Sequence, residues 1–377
     1  MNPANKKVVA HSASGLPLRL RSLTSLRFFA AAAVLIHHTL PNWPHYRITV
    51  NIFNLGYLGV SFFFILSGFV LTYSRLGLNQ KRDSNFLLRR ISRIYPLHAI
   101  FLTFSILGFL ATKASWGGYT GTSKLGTLLN YLLIHGWIPL HPNIRQGWNG
   151  VSWTLSLEFF FYICFNVLFK NLYRCNPKNL MSVSLILYSI YTVSTIYSGI
   201  NHLTNFQDVL YYFPVPRIFE FIYGMIMAIL IYSKPKVLFV RPTVSWLVLI
   251  ISIVTGAELI GLKHGFPAEF NLIAIPGFCL LIWSYALTDI RGKKSVLHAK
   301  LFYELGEESY ALYISHVVLL AGFGWGLWAL KINGSNPLGG EVLTFTFIFA
   351  CLGVARFLHT FVELPTQKLL LRFFSRS

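Results

Sequence analysis

Ten stretches of about twenty mainly apolar residues recur along the chain, near 24–41, 52–74, 94–112, 149–169, 180–199, 209–232, 242–261, 270–289, 308–330 and 341–363. A run of that length crosses the ~30 Å hydrocarbon core of a bilayer as an α-helix. Lipid offers no partner for open backbone groups, so each run has to close its own hydrogen bonds. The pattern therefore predicts an all-α polytopic membrane protein with about ten transmembrane helices. A shorter apolar segment near 124–140, interrupted by His135 and Pro139, is expected to be interfacial or re-entrant. Counting it as a crossing would move Lys170, Arg174 and Lys178 to the other side of the membrane.

Composition agrees with the pattern. Of 377 residues, 54% are hydrophobic and 12% charged, which excludes an ordinary soluble domain. A net charge of +20 raises nucleic acid as a partner, but the placement of the basic residues answers otherwise. With the N-terminus in the cytosol, 23 of the 32 Lys and Arg fall on inner segments, six on outer loops, and Arg27, Arg217 and Arg356 within spans. That is the positive-inside bias. The charge thus reports topology, with both termini cytosolic and no nucleic acid as partner. We expect a tail over 1–22, a single membrane domain over 23–365 and a tail over 366–377. The early basic residues and apolar run resemble a signal peptide, but Ala30 to Ala33 come too early in the run for a cleavage point, so an uncleaved first span is expected. The four cysteines include no CxxC pair, so neither a disulfide framework nor a metal site is expected.

Candidate chemistry lies in the few ionisable residues within the apolar runs, where a charge costs at least about 2.5–3.5 kcal/mol and calls for a partner or a role. Arg27 and His38 are eleven residues apart, which at about 100° per residue returns them to one helix face with roughly 16 Å of rise between them. His37 lies off that line. Thr154, Glu158 and Tyr162 recur every four residues and form a polar stripe, so Glu158 should face the protein interior, either as a working carboxylate or paired with an arginine such as Arg217.

The run RRISRIYP (Arg89 to Pro96) places Arg90 and Arg93 before the third span, with Pro96 suited to a helix first turn. Guanidinium forks there, with Arg27 at the same membrane level, could hold a polyphosphate; the plainer reading is topology. The small residues of GYLGVSFFFILSGF suit close helix packing. Arg217 with Glu220, and His359 with Glu363, read as local ion pairs. His316 reads as a hydrogen-bonded core histidine. Trp116, Trp137 and Trp148 suit either a sugar-stacking surface or an interfacial belt.

The order of LRFFAAAAVLIHH, LSGF, RRISRIYP, WTLSLEFFFY, RIFEFIYG, SYALYISH and VELP resembles the integral-membrane acyltransferase-3 family, the O-acyltransferases of cell-surface polysaccharides and related glycans. The resemblance covers nearly the whole chain. It implies a catalytic His38 and Glu158, with Arg27, Arg90 and Arg93 binding the donor. It further implies acyl-CoA, usually acetyl-CoA, as donor substrate, a carbohydrate hydroxyl as acceptor, and a multi-pass place in the bacterial inner membrane. The closing motif reads ELP where acid-arginine-proline is commoner, and the fused extracytoplasmic hydrolase-like domain of some relatives is not expected in these residues. Two other classes fit intramembrane His, Glu and Arg: a secondary transporter or flippase, and a non-catalytic subunit of an export complex. The first has against it the absence of a half-to-half repeat and the cationic cluster.

Overall fold

The computed structural model describes residues 17, 19–39, 54–78, 85–118, 122–138, 140–233, 238–261, 267–330 and 337–374. Among the sequence landmarks, Lys6, Lys7, Arg47, Lys81, Arg82, Lys234, Lys236, Lys263, Lys331, Arg376 and Pro139 lie outside the described residues. The described residues form helices and no strand. In chain order these are α1 (Arg21–Thr39), α2 (Gly59–Gly77), α3 (Phe86–Thr112), α4 (Lys124–Tyr131), α5 (Pro142–Arg145), α6 (Trp153–Tyr173) and α7 (Pro177–Ile200). There follow α8 (Thr204–Tyr212), α9 (Pro214–Ser233), α10 (Pro242–Gly261), α11 (Pro267–Ile290), α12 (Lys300–Ala329), α13 (Pro337–Leu358) and α14 (Leu364–Phe374).

Eight helical segments among the described residues are long and apolar enough to cross a membrane. That is two fewer than the ten expected: the 19-residue α1, which carries two arginines, and the shorter apolar stretch Pro242–Glu258 of α10 fall short of that measure and would complete the set if they cross. The outer surface is apolar as well as the core. Leu185, Ile190 and Val193 of α7 and Leu247, Ile250 and Ile251 of α10 are exposed, whereas Ser61, Thr72, Asn271, Arg217 and Glu220 are buried. An apolar solvent leaves the exposed side chains at no cost and makes internal partners necessary for the polar ones.

The direction in which helices pack settles how the 124–140 segment counts. Arg217 of α9 meets Ser61 of α2, and Gly224 meets Ile65 further along both, so these helices run parallel. Phe29 meets Phe302 and His38 meets His316, so α1 and α12 also run parallel. Each relationship needs an odd number of crossings between its partners. Ten crossings satisfy both; an eleventh inside 124–140 would reverse α2 against α9. Its described residues hold only the eight-residue α4 and a 3-10 turn at His135–Trp137 as helical elements. At 1.5 Å per residue α4 rises about 12 Å, far short of a bilayer.

Small residues set the closest helix approach. A β-carbon on Gly68 would overlap the Phe221 carbonyl, and one on Gly224 would overlap the Ile65 carbonyl, so α2 and α9 touch backbone to backbone through reciprocal glycines. Beside this seam the Arg217 guanidinium lies 3.0 Å from Glu220, with both side chains wholly buried. The ion pair expected from their spacing is therefore present, and Arg217 also donates to Ser61, which donates to Asn271.

The third span begins earlier than its apolar run. Helix α3 starts at Phe86, so Pro96 is interior and Arg89, Arg90 and Arg93 lie on the first turns of the helix itself, not before it. Proline removes one backbone bond, but in a membrane helix surrounding groups take up the freed carbonyls, so the helix continues through it. The Tyr310 hydroxyl of α12 donates to the Ile94 carbonyl in that same turn. At the chain's other end a five-residue π-helical turn, His359–Glu363, joins α13 to α14, and helix continues through the expected 366–377 tail as far as Phe374.

Candidate active site

Three basic side chains from two helices converge because of their spacing. Arg90 and Arg93 are three apart on α3, hence on one face, and that face meets Arg27 from α1. Together with Glu158 and Tyr162 of α6 and Tyr313 of α12 they line a cavity of about 80 Å³. A second cavity of about 420 Å³ shares Arg27, Val70, Arg90 and Arg93 and adds Arg19, Tyr303 and Glu307. The arginines thus ring the neck between an outer vestibule and an inner chamber.

Within the chamber the Tyr162 hydroxyl donates to the Glu158 carboxylate at 2.8 Å, and the fields of Arg27, Arg93 and Arg90 act on that carboxylate. The stripe read from the sequence is real: Thr154, Glu158 and Tyr162 all face the chamber. Arg93 is further held by Glu363 at 3.5 Å, whose other oxygen lies 2.9 Å from His359 Nδ1. The His359 and Glu363 pairing was legible as an i,i+4 contact. The reach of Glu363 across to Arg93 was not, and the π-helical turn that aims it has no signature in the sequence. Such turns concentrate at working sites.

The histidines lie at the other end of α1. His38 Nδ1 is 2.9 Å from the Val34 carbonyl and 3.3 Å from His316 Nε2 of α12, and His316 Nδ1 is 2.7 Å from the Tyr313 carbonyl. The Tyr313 ring closes the chamber toward this pair, with its centroid 6.0 Å from the His316 ring and 5.9 Å from Phe63. Its hydroxyl is 2.9 Å from Thr154 Oγ1. The structure therefore brings Arg27, Arg90, Arg93 and Glu158 around one chamber, and brings His38 to His316 behind its aromatic end wall. His316 and Tyr313 lay in SYALYISH, where their helical register was readable but the partner of His316 on α1 was not.

The tryptophans expected either to stack on sugars or to sit in a belt are used in packing. Trp116 Nε1 donates to Thr112, Trp137 Nε1 to the Ser156 carbonyl and Trp148 Nε1 to Thr127. Among the described residues no cluster of three or more His, Cys, Asp or Glu could hold a metal ion.

A cationic neck leading to a chamber closed by Tyr313, with a part-buried imidazole pair behind that wall, all within a helical membrane bundle, is an arrangement suited to group transfer from an anionic carrier. The acyltransferase-3 family, described as an acyltransferase domain, matches residues 20–357, and the chain belongs to that family. Acyltransferase MdmB of Streptomyces mycarofaciens is 28% identical over 94% of this chain and 93% of its own. Nodulation protein 10 of Rhizobium leguminosarum bv. viciae is 24% identical over 91% and 93% respectively. O-acetyltransferase OatA of Staphylococcus aureus is 24% identical over 93% of this chain and 58% of its own length. No solved structure gives a significant match. The protein is thus a multi-pass membrane acyltransferase.

Proposed function

We propose that this protein is an O-acetyltransferase of the bacterial inner membrane, with cytosolic termini, that moves an acetyl group from acetyl-CoA to a hydroxyl of a surface or exopolysaccharide glycan. The observation that carries the reading is the shared lining of the two cavities. Arg27, Arg90 and Arg93 ring a neck that opens to a vestibule on one side and to the Tyr313 end wall on the other.

Guanidinium forks bind phosphate in a bidentate manner, so the donor's phosphates rest at this neck. The pantetheine arm extends through the chamber, past Glu158 and Tyr162, toward His38. The run from Arg27 to His38 rises about 16 Å along α1, comparable to that arm. Glu158 offsets part of the arginine charge and gives the chamber a hydrogen-bond acceptor for the arm's amide N–H groups.

At the far end His38 takes the proton of the acceptor hydroxyl as general base. The oxygen attacks the thioester carbonyl, the C–S bond breaks, and the imidazolium returns the proton to the CoA thiolate. Atoms and charge balance with no metal and no redox partner. A transiently acetylated His38 would use the same residues in two steps.

The test is direct. Protein purified into lipid nanodiscs is given acetyl-CoA and a surface-glycan extract from cells lacking it, and free CoA thiol and glycan O-acetyl are followed. Release of both by the native protein, and neither by His38→Ala of unchanged monodispersity, is the expected result. An intact thioester under all conditions would mark a transporter or flippase instead.

A further inference from the structure

We propose that His316 is a positioning residue that fixes the tautomer of His38 and shares the positive charge the latter acquires in the reaction. The inference rests on His38 being the base of the proposed function, and it assigns the place that a carboxylate holds in many hydrolytic triads to a second imidazole.

The tautomers follow from the acceptors. A carbonyl oxygen can only accept, so the 2.9 Å contact to the Val34 carbonyl places a proton on His38 Nδ1. By the same argument the 2.7 Å contact to the Tyr313 carbonyl places a proton on His316 Nδ1. A neutral imidazole carries a single N–H, so His316 presents the lone pair of its Nε2. That lone pair lies 3.3 Å from His38 Nδ1, whose N–H is divided between the Val34 carbonyl and His316. Neutral His38 must then carry its own lone pair on Nε2, the nitrogen required as base.

The surroundings hold this choice. His316 is 1% exposed and is held on α12 by contacts to the carbonyls of both Leu312 and Tyr313, so its ring cannot turn without losing them. His38 is flanked on its own helix by His37, with ring centroids 4.9 Å apart, and His37 in turn meets Tyr57. When Nε2 of His38 takes the substrate proton, the N–H at Nδ1 becomes that of an imidazolium, and its bond to the His316 lone pair strengthens with the charge. His316 keeps its own proton on Nδ1 throughout. The substrate proton goes only to His38 Nε2 and from there to the leaving thiolate.

The experiment compares the native protein with His316→Ala, His316→Gln and His38→Ala in nanodiscs, using acetyl-CoA and the same glycan extract, with kcat and donor KM measured separately. Losing tautomer control and charge sharing lowers kcat on the order of 10²-fold or more. The donor KM stays within about two-fold, because the phosphates are held at the other end of α1. Glutamine carries an amide oxygen able to accept from Nδ1–H, so His316→Gln recovers part of the lost kcat. If His316→Ala does not purify as a single species, His316→Leu, which keeps the volume without an acceptor, takes its place in the comparison. A native kcat in the alanine or leucine variant, or equal kcat with and without the glutamine acceptor, overturns the proposal. Turnover by His38→Ala would instead overturn the function on which it rests.

Discussion

Replacing Glu220 by glutamine removes the carboxylate that faces the buried Arg217 guanidinium. Arg217 and Glu220 are both wholly buried and 3.0 Å apart, and the guanidinium is further enclosed by Ser61, Phe64 and Tyr211. Breaking one side of a buried ion pair leaves an uncompensated charge and typically costs about 3–5 kcal/mol. The Ser61 hydrogen bond and the two ring contacts survive in Glu220→Gln and return part of that, so a loss near the lower figure is expected.

The double variant Arg217→Met, Glu220→Leu removes both charges and fills the space with apolar groups, an exchange that is often neutral or stabilising. It should recover most of the loss. Thermal unfolding in detergent, followed by the surviving monodisperse fraction after heating, reads the order native, double variant, Glu220→Gln. Should Glu220→Gln melt with the native protein, the carboxylate is not the countercharge of Arg217, and the account of this seam is wrong.

Two shorter tests address other parts of the molecule. Arg90→Ala removes one guanidinium from the neck; a hydrogen bond to a charged group contributes about 1.5–3 kcal/mol, so the donor KM should rise roughly ten- to hundred-fold with kcat little changed. An unchanged KM would take Arg90 out of donor binding. Gly224→Val drives a side chain into the Ile65 carbonyl and must force α2 and α9 apart. Loss of folded protein is expected, and a native yield of monodisperse protein would contradict the backbone contact described.

What the sequence made legible was whatever depends on one helix alone. Arg27 and His38 do lie on a single continuous helix, the Thr154, Glu158 and Tyr162 stripe does face one chamber, and the Arg217 and Glu220 spacing does give an ion pair. Periodicity assigns a residue to a face, but it does not say which distant helix that face will meet. The His38 and His316 contact and the Arg93 and Glu363 contact were for that reason unreadable, since each joins spans far apart in the chain. The start of α3 was misplaced for another reason. Its first turns are polar and Pro96 imitates a helix start, whereas packing against α12 carries the helix through the proline.

The two histidines are separated by 278 positions in the chain, and the helices bearing them lie side by side. During synthesis the three arginines enter with the first helices, but the imidazole pair cannot exist until α12 has been translated and inserted. On the proposed function, a half-made chain would carry the donor-binding arginines without the finished base. Reactivity toward the proposed thioester would thereby be reserved for molecules whose biogenesis is nearly over.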